Sequence, residues 1–283
     1  MIYLITGATG NIGSIVVERL IERGERPRIF GRDPEKARSR YGDRVDVFFG
    51  DLADSATLKP ALTGADALFL VTSSHDLAAQ DAAAAKTAKA AGVKHLVKLS
   101  SYDAREQNVG TGVWHARGES AIRACGMPFT FVQPSGFMSN ALFWAKSIKA
   151  EGVVRTATGN GKIPFIHSQD IADVVTKALT SGMYNGESLP ITGPEALSYA
   201  EMTAKISTAI GKPLQFQAIS DEEARQQQIA WGAPEPLVQA RLSIFRAIRE
   251  GRLATVTDTV ERVLGRKPIP FDQWVQENAM AFS

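Results

Sequence analysis

Short, continuously apolar runs rich in β-branched and aromatic residues recur through the first half of the chain, at residues 2–6, 28–30, 45–49, 67–71, 95–99 and 129–132. Between them lie longer stretches with helical periodicity, at 12–23, 34–40, 55–62, 76–91, 113–124 and 138–150. Strands that are apolar without alternation are covered on both faces, and strands that alternate with helices form parallel crossovers. The pattern predicts an α/β fold, a doubly wound parallel sheet. After residue 151 it changes to a glycine-rich Thr158-Gly159-Asn160-Gly161, a helix over 170–179, a strand near 188–191 and mostly helical sequence from 198 onward. The expected division is an α/β domain at 1–192, with an excursion toward the substrate at about 151–167, and a smaller, mostly helical lobe at 193–283.

Composition adds little to this picture but excludes several classes of function. The 283 residues are 44% hydrophobic and 22% charged, as in an ordinary globular protein, and 32 basic against 30 acidic residues leave a net charge of +2. Such a balance sets up no field to gather nucleic acid or an anionic membrane. Arg241, Arg246, Arg249 and Arg252 form a basic cluster, but Glu250, Asp258 and Glu261 interleave with it, which reads as a solvated helix face. The single cysteine, Cys125, has no internal disulfide partner and suits a reducing compartment, as a small residue buried on a helix. The first strand begins at once, leaving no room for a signal peptide of roughly 15–30 residues. The alanine-rich stretch 77–91 is interrupted by Gln80, Asp81, Lys86 and Lys89 and falls short of the roughly 20 apolar residues of a membrane span. The expectation is a soluble, cytoplasmic protein with neither a nucleic-acid nor a membrane partner.

The first strand runs into Gly7-Ala8-Thr9-Gly10-Asn11-Ile12-Gly13 and then an amphipathic helix with Ile15, Val16, Leu20 and Ile21. A glycine at the first position permits the tight turn, one at the second admits a pyrophosphate, and one at the third brings helix against strand. The helix N-terminus then offers free N–H groups to the phosphates. Gly7 through Gly13 are thus candidates to cradle a dinucleotide on a Rossmann-type domain.

Which dinucleotide is read at the end of the second strand, at Gly31-Arg32-Asp33-Pro34. An acidic residue there suits the ribose hydroxyl of NAD, and an arginine the phosphate of NADP. Asp33 stands before a proline that opens a helix, the N-cap position, so Arg32 is the phosphate reader and NADP(H) the expected cofactor, with NAD(H) weaker. Asp51 and Leu52 follow the third strand. There the carboxylate either receives the adenine amino group while the leucine covers the ring, or simply ends the strand. Thr72-Ser73-Ser74 and Ser100-Ser101-Tyr102 end the fourth and fifth strands at the carboxyl edge where ligands lie in open α/β sheets, unless each is only turn and cap chemistry. No metal site is evident.

Together these residues resemble the NmrA-like group of atypical short-chain dehydrogenase/reductases, which includes NADPH-dependent quinone, azo-dye and triphenylmethane-dye reductases. The matching stretches are residues 6–13, 32–37, 91–95, 115–119, 128–131 and 159–162, and the likeness weakens after about Gly193. The departure from catalytic members of the wider superfamily is instructive. Where they resemble one another in a helical Tyr-x-x-x-Lys, whose lysine lowers the tyrosine pKa, this chain has His115-Ala116-Arg117-Gly118-Glu119. Tyr102 is present off that spacing. The resemblance therefore implies hydride transfer without a dedicated strong acid, to an acceptor that stabilises charge itself, such as a quinone or a cationic dye. His115, expected to titrate near neutrality, either donates to the acceptor or orients Glu119 or the loop. The segment Gln133-Pro134-Ser135-Gly136-Phe137-Met138 resembles the family loop beside the nicotinamide and substrate. On that likeness Gln133, Pro134, Ser135 and Phe137 meet the cofactor, and Tyr102, His115, Phe137 and Met138 meet the substrate, although Phe137 and Met138 suit a core equally well. Asp170 is expected to cap a helix or to hydrogen-bond between domains.

Two readings of function follow. One is an NADPH-dependent reductase of small aromatic or conjugated acceptors, as monomer or homodimer. The other is a non-catalytic NADP(H)-sensing regulator, since NmrA-like regulators resembling this chain have also lost Tyr-x-x-x-Lys. Epimerase or dehydratase chemistry on nucleotide sugars is disfavoured because it too depends on that tyrosine.

Overall fold

The computed structural model describes residues 1–73, 76–106 and 109–283. Its first half alternates strand and helix as the apolar pattern requires. The order is β1 (Tyr3–Thr6), α1 (Asn11–Glu22), β2 (Arg28–Gly31), α2 (Pro34–Tyr41), β3 (Asp46–Phe49), α3 (Lys59–Leu62), β4 (Ala67–Leu70), α4 (Leu77–Ala90), β5 (His95–Leu99), α5 (Gly112–Cys125) and β6 (Phe129–Pro134). There follow α6 (Ala145–Glu151), β7 (Val153–Thr156), β8 (Lys162–Ile163), α7 (Ser168–Ser181) and β9 (Ser188–Ile191). The chain continues with β10 (Leu197–Ser198), α8 (Tyr199–Ile210), β11 (Gln215–Ala218), α9 (Asp221–Ala230), α10 (Glu235–Arg249), α11 (Thr259–Leu264) and α12 (Phe271–Asn278).

Seven strands form one sheet in the order β3-β2-β1-β4-β5-β6-β9. The order reverses between β1 and β4, and at such a switch point the strand ends diverge to leave a crevice. Alternate residues face opposite layers. Leu4, Leu68, Leu70 and Leu96 join Leu58, Leu62, Ala84, Ala88 and Ile122 in one fully buried layer under α3, α4 and α5. On the opposite face α1 and α7 pack together, tied by Arg19 Nε to Asp173 Oδ1 at 2.8 Å.

Contacts divide the chain into two compact units, and the division is interleaved: residues 1–104, 114–133 and 168–190 form the first, and 105–113, 134–167 and 191–283 the second. A single boundary near residue 193 misses the two earlier stretches that join the second unit. That unit holds α6 and α8 to α12 with two small ribbons, β7 beside β11 in parallel and β8 beside β10 antiparallel. None of these four short strands was expected. Two of them are two residues long and β11 is largely exposed, so these three carry no readable periodicity, while β7 alternates over only four residues. Residues 138–150, expected as one helix, begin as a 3₁₀ turn over Met138–Trp144 before α6. Asp170 is fully buried in the first turn of α7. Among the described residues no helix is long and apolar enough to cross a membrane.

Candidate functional site

The loop between β1 and α1 folds back on itself. Gly7 adopts a left-handed φ of 63°, and its carbonyl accepts the amide of Gly10 at 2.9 Å. A side-chain carbon at Gly13 would stand 2.2 Å from that same carbonyl oxygen, so only glycine lets α1 begin this close to the strand end. Gly10 caps the helix without a side chain and is itself exposed, which leaves the helix start open toward an anion. Ala8 and Ile12 are buried and present backbone only, while Asn11 is exposed. Tyr41, at the end of α2, braces the loop from behind by donating its hydroxyl to the Ala8 carbonyl at 2.7 Å.

This loop forms one wall of a groove of about 450 Å³ at the carboxyl edge of the sheet. The groove brings together Gly7, Ala8, Thr9, Arg32, Asp51, Leu52, Thr72 and Ser73, adding Phe30, Phe48, Val71 and Gln80, which sequence reasoning did not single out. Ser74 lies outside the described residues. Asp33 caps α2, accepting the Lys36 amide at 2.9 Å with Pro34 in the first turn. Arg32 is exposed on the groove and, among the described residues, has neither an ion-pair nor a hydrogen-bond partner. Nearby Arg26, Arg38 and Arg44 each have a carboxylate. Asp51 spends one oxygen on a local turn, accepting the Ala53 amide at 2.9 Å. In this loop the groove lining ends at Thr9 and does not include Gly10, Asn11, Ile12 or Gly13. An extended groove beside a glycine turn, with an unpaired guanidinium on its wall, fits a phosphorylated dinucleotide.

Beyond the Thr72 wall lies a buried polar cluster. Lys98, on β5, ion-pairs with Asp81 of α4 at 2.7 Å, and both side chains are completely buried. Thr72 donates its hydroxyl to Asp81 at 2.9 Å and accepts from Lys98 at 3.2 Å, so that hydroxyl is spent inward and not on a ligand. Burial pushes Lys98 down against the opposing pull of Asp81 and Glu119, and pushes Asp81 up against Lys98 and Thr72. Glu119 accepts from Ser100 Oγ at 2.5 Å and from Gln133 Nε2 at 2.8 Å. The Ser100 hydroxyl and the Gln133 amide nitrogen are thereby committed to the helix carrying Glu119. Ser101 likewise donates to Asp103.

His115 differs from its sequence expectation. Desolvation first, and the Lys98 charge second, depress its pKa to about 3, so it is a neutral imidazole at physiological pH and does not titrate near neutrality. It remains able to donate one hydrogen bond. Its Nδ1 is buried without a hydrogen-bond partner among the described residues. Tyr102 sits half-buried in a 3₁₀ turn over Tyr102–Arg105.

Of the loop after β6, Ser135 is buried and gives its hydroxyl to the Pro164 carbonyl. Pro134 is buried as well. Met138, 1% exposed, is core of its own unit and not a wall for a ligand. Phe137 is half-buried and bridges to Ile166. None of Gln133, Pro134, Ser135 and Phe137 lines the groove. Among the described residues no group of three or more His, Cys, Asp or Glu side chains gathers as a metal site requires.

The profile of the NmrA-like family matches residues 2–271. The chain is 39% identical over 282 residues to the (4-alkanoyl-5-oxo-2,5-dihydrofuran-3-yl)methyl phosphate reductase of Streptomyces griseus subsp. griseus, covering 99% of each chain. It is 38% identical to the NAD(P)H azoreductase of Xenophilus azovorans, covering 99% of this chain and 98% of that one. The crystal structure of an NADPH-dependent quinone oxidoreductase of Escherichia coli, complexed with NADPH, superposes with a TM-score of 0.89 at 25% identity, over 98% of this chain and 99% of that one.

Proposed function

The chain belongs to the NmrA-like family, and from that premise we propose that it is an NADPH-dependent reductase that delivers hydride to a quinone or a similarly conjugated acceptor. The observation that carries this reading is the groove at the switch point, with its glycine-built phosphate cradle and the unpaired Arg32. The relatives support the acceptor class. An azo bond, a quinone and a ring alkene bearing two carbonyl groups, as the name of the Streptomyces enzyme describes, share one property: each delocalises the electron pair it receives.

Bound NADPH would supply the hydride. The first turn of α1 would hold its pyrophosphate by backbone N–H groups, admitted past Gly7 and Gly10 by their lack of side chains, and Arg32 would hold the ribose phosphate. The protein's own contribution to proton chemistry is small. Neutral His115 donates a hydrogen bond to the acceptor and releases no proton, so the reduced product takes its proton from water. An unstabilised alkoxide would gain too little from such a site. Simple ketones and aldehydes are therefore excluded as substrates, and conjugated acceptors are not.

The test is to mix the purified protein with NADPH and a panel of quinones, azo dyes and activated enones, following absorbance at the reduced-nicotinamide band. Acceptor-dependent oxidation is expected, with most of it retained in Tyr102→Phe and a loss of no more than roughly a hundredfold in His115→Ala. Tight NADPH binding with no turnover across the panel would favour a cofactor sensor. Brisk reduction of an ordinary ketone, or near-total loss in Tyr102→Phe, would reveal a dedicated acid and refute the mechanism.

A further inference from the structure

The helix that carries His115 and Glu119 has no lysine at the position four residues on from His115, where the relay of related enzymes would place one. A lysine nevertheless reaches this region from another element. Lys98 lies on β5 with the parity of Leu96, so its side chain enters the layer beneath α4 and α5. It ends against Asp81 of α4 at 2.7 Å, with both side chains fully buried.

Two further contacts give this pair a mechanical position. Toward the groove, Thr72 is bonded to both partners, at 2.9 Å to Asp81 and 3.2 Å from Lys98, and Thr72 is part of the groove wall. Toward α5, the backbone of Gly118 rests directly on the carboxylate: a side-chain carbon there would stand 2.0 Å from Asp81 Oδ2. Gly118 lies within the turn that runs from His115 to Glu119. The ion pair therefore reaches the groove wall through Thr72 on one side and the His115–Glu119 turn through Gly118 on the other. A buried pair is weak evidence for stability, since apolar residues of the same shape usually serve as well. Its placement calls for another explanation.

We infer that Lys98, paired with Asp81, is a positioning residue for the reaction: the pair registers the α5 turn bearing His115 and Glu119 against the Thr72 wall of the groove. The inference rests on the reductase reading and deepens it. Neither Lys98 nor Asp81 touches the groove surface, because both are completely buried, so they act through Thr72 and Gly118. Their arrangement divides the work between two parts of the site. Phosphate binding belongs to the glycine loop and Arg32, and the register of His115 belongs to the pair.

A single substitution at Lys98 strands a buried carboxylate and risks unfolding. The informative variant is the double one, Lys98→Met with Asp81→Leu, which replaces the pair by apolar side chains of similar shape. Its thermal midpoint, NADPH affinity by fluorescence titration, and kcat and KM for a quinone are measured beside wild type. The expected result is a folded protein with NADPH affinity near that of wild type and kcat lower by roughly 10- to 100-fold, the effect of a small displacement of a reacting group. A folded double variant with wild-type kcat would show the pair to be structural only and overturn the inference while leaving the reductase reading intact. A double variant whose loss lies wholly in NADPH affinity would overturn it too. A wild type silent toward every acceptor would defeat the reductase reading, and this inference with it.

Discussion

Replacing Gly118 by alanine separates helix propensity from tertiary packing with opposite signs. Inside a helix the exchange ordinarily stabilises by about 0.8–1 kcal/mol. Here the new carbon would lie 2.0 Å from Asp81 Oδ2, whereas an ordinary carbon–oxygen contact is about 3.3 Å, so roughly 1.3 Å must be found. Asp81 cannot swing away into solvent. It is fully buried, Lys98 holds one oxygen at 2.7 Å and Thr72 holds the other at 2.9 Å. Overpacking of this kind costs about 1–3 kcal/mol, and a pair broken outright costs about 3–5 kcal/mol. Net of the gain in propensity, Gly118→Ala should destabilise by up to about 2 kcal/mol if Asp81 shifts with its pair intact, and by about 2–4 kcal/mol if the pair breaks. The assay is a double-mutant cycle on thermal midpoints against the paired change Asp81→Ala with Lys98→Met, which strands no buried charge. In that background the obstructing oxygen is gone, and Gly118→Ala should become neutral or stabilising by up to about 1 kcal/mol. If Gly118→Ala raises the midpoint of the otherwise native protein, α5 does not rest on Asp81 and the reasoning fails.

Gly10→Val should abolish NADPH binding while the fold survives, because the cap's φ of −88° suits valine, Gly10 is exposed, and the added carbon, 3.2 Å from the Gly7 carbonyl oxygen, asks only a small shift of the turn. A folded variant with unchanged affinity by fluorescence titration would end the cradle assignment. Arg32→Ala should weaken NADPH binding by one to two decades, from about 1.5–3 kcal/mol for a charge-assisted phosphate contact, and leave NADH unchanged. Equal affinity of wild type for both cofactors would contradict this. Stability should also depend on pH through His115, whose native pKa of about 3 lies below the ordinary value. Unfolded histidine takes up a proton near pH 6.5 that the native state refuses, so stability is complete above about 6.5 and falls as pH drops toward the native value, by at most about 1.4 kcal/mol per pH unit. Burial acts on His95 in the same direction. Denaturation at neutral pH and one to two units below it should show a flatter fall for His115→Gln than for wild type; identical slopes would mean that His115 is not held neutral.

The chain's local chemistry was enough to specify a good part of this molecule. Continuous apolar runs marked the six strands from β1 to β6; β1 and β4 are buried throughout, as strands covered on both faces are, whereas the edge strand β3 is only partly covered. Gly7 and Gly13 marked the tight turn between β1 and α1, and Asp33 before Pro34 marked a helix cap, with Arg32 left beside it on the groove. The turn and the cap were legible because each is decided by residues a few positions apart. What the tertiary structure decided is of another kind. Lys98 stood in an apolar strand with nothing nearby in sequence to show that Asp81 would meet it, or that Gly118 would press upon Asp81 from a third element. The protonation state of His115 was equally hidden, because a pKa is set by depth of burial and by a charge on another strand. Met138 and Ser135, plausible in sequence as site residues, are buried within the second unit to which they belong. Periodicity tells which face of an element avoids water. Which polar atoms meet on that face is settled only when the elements are assembled.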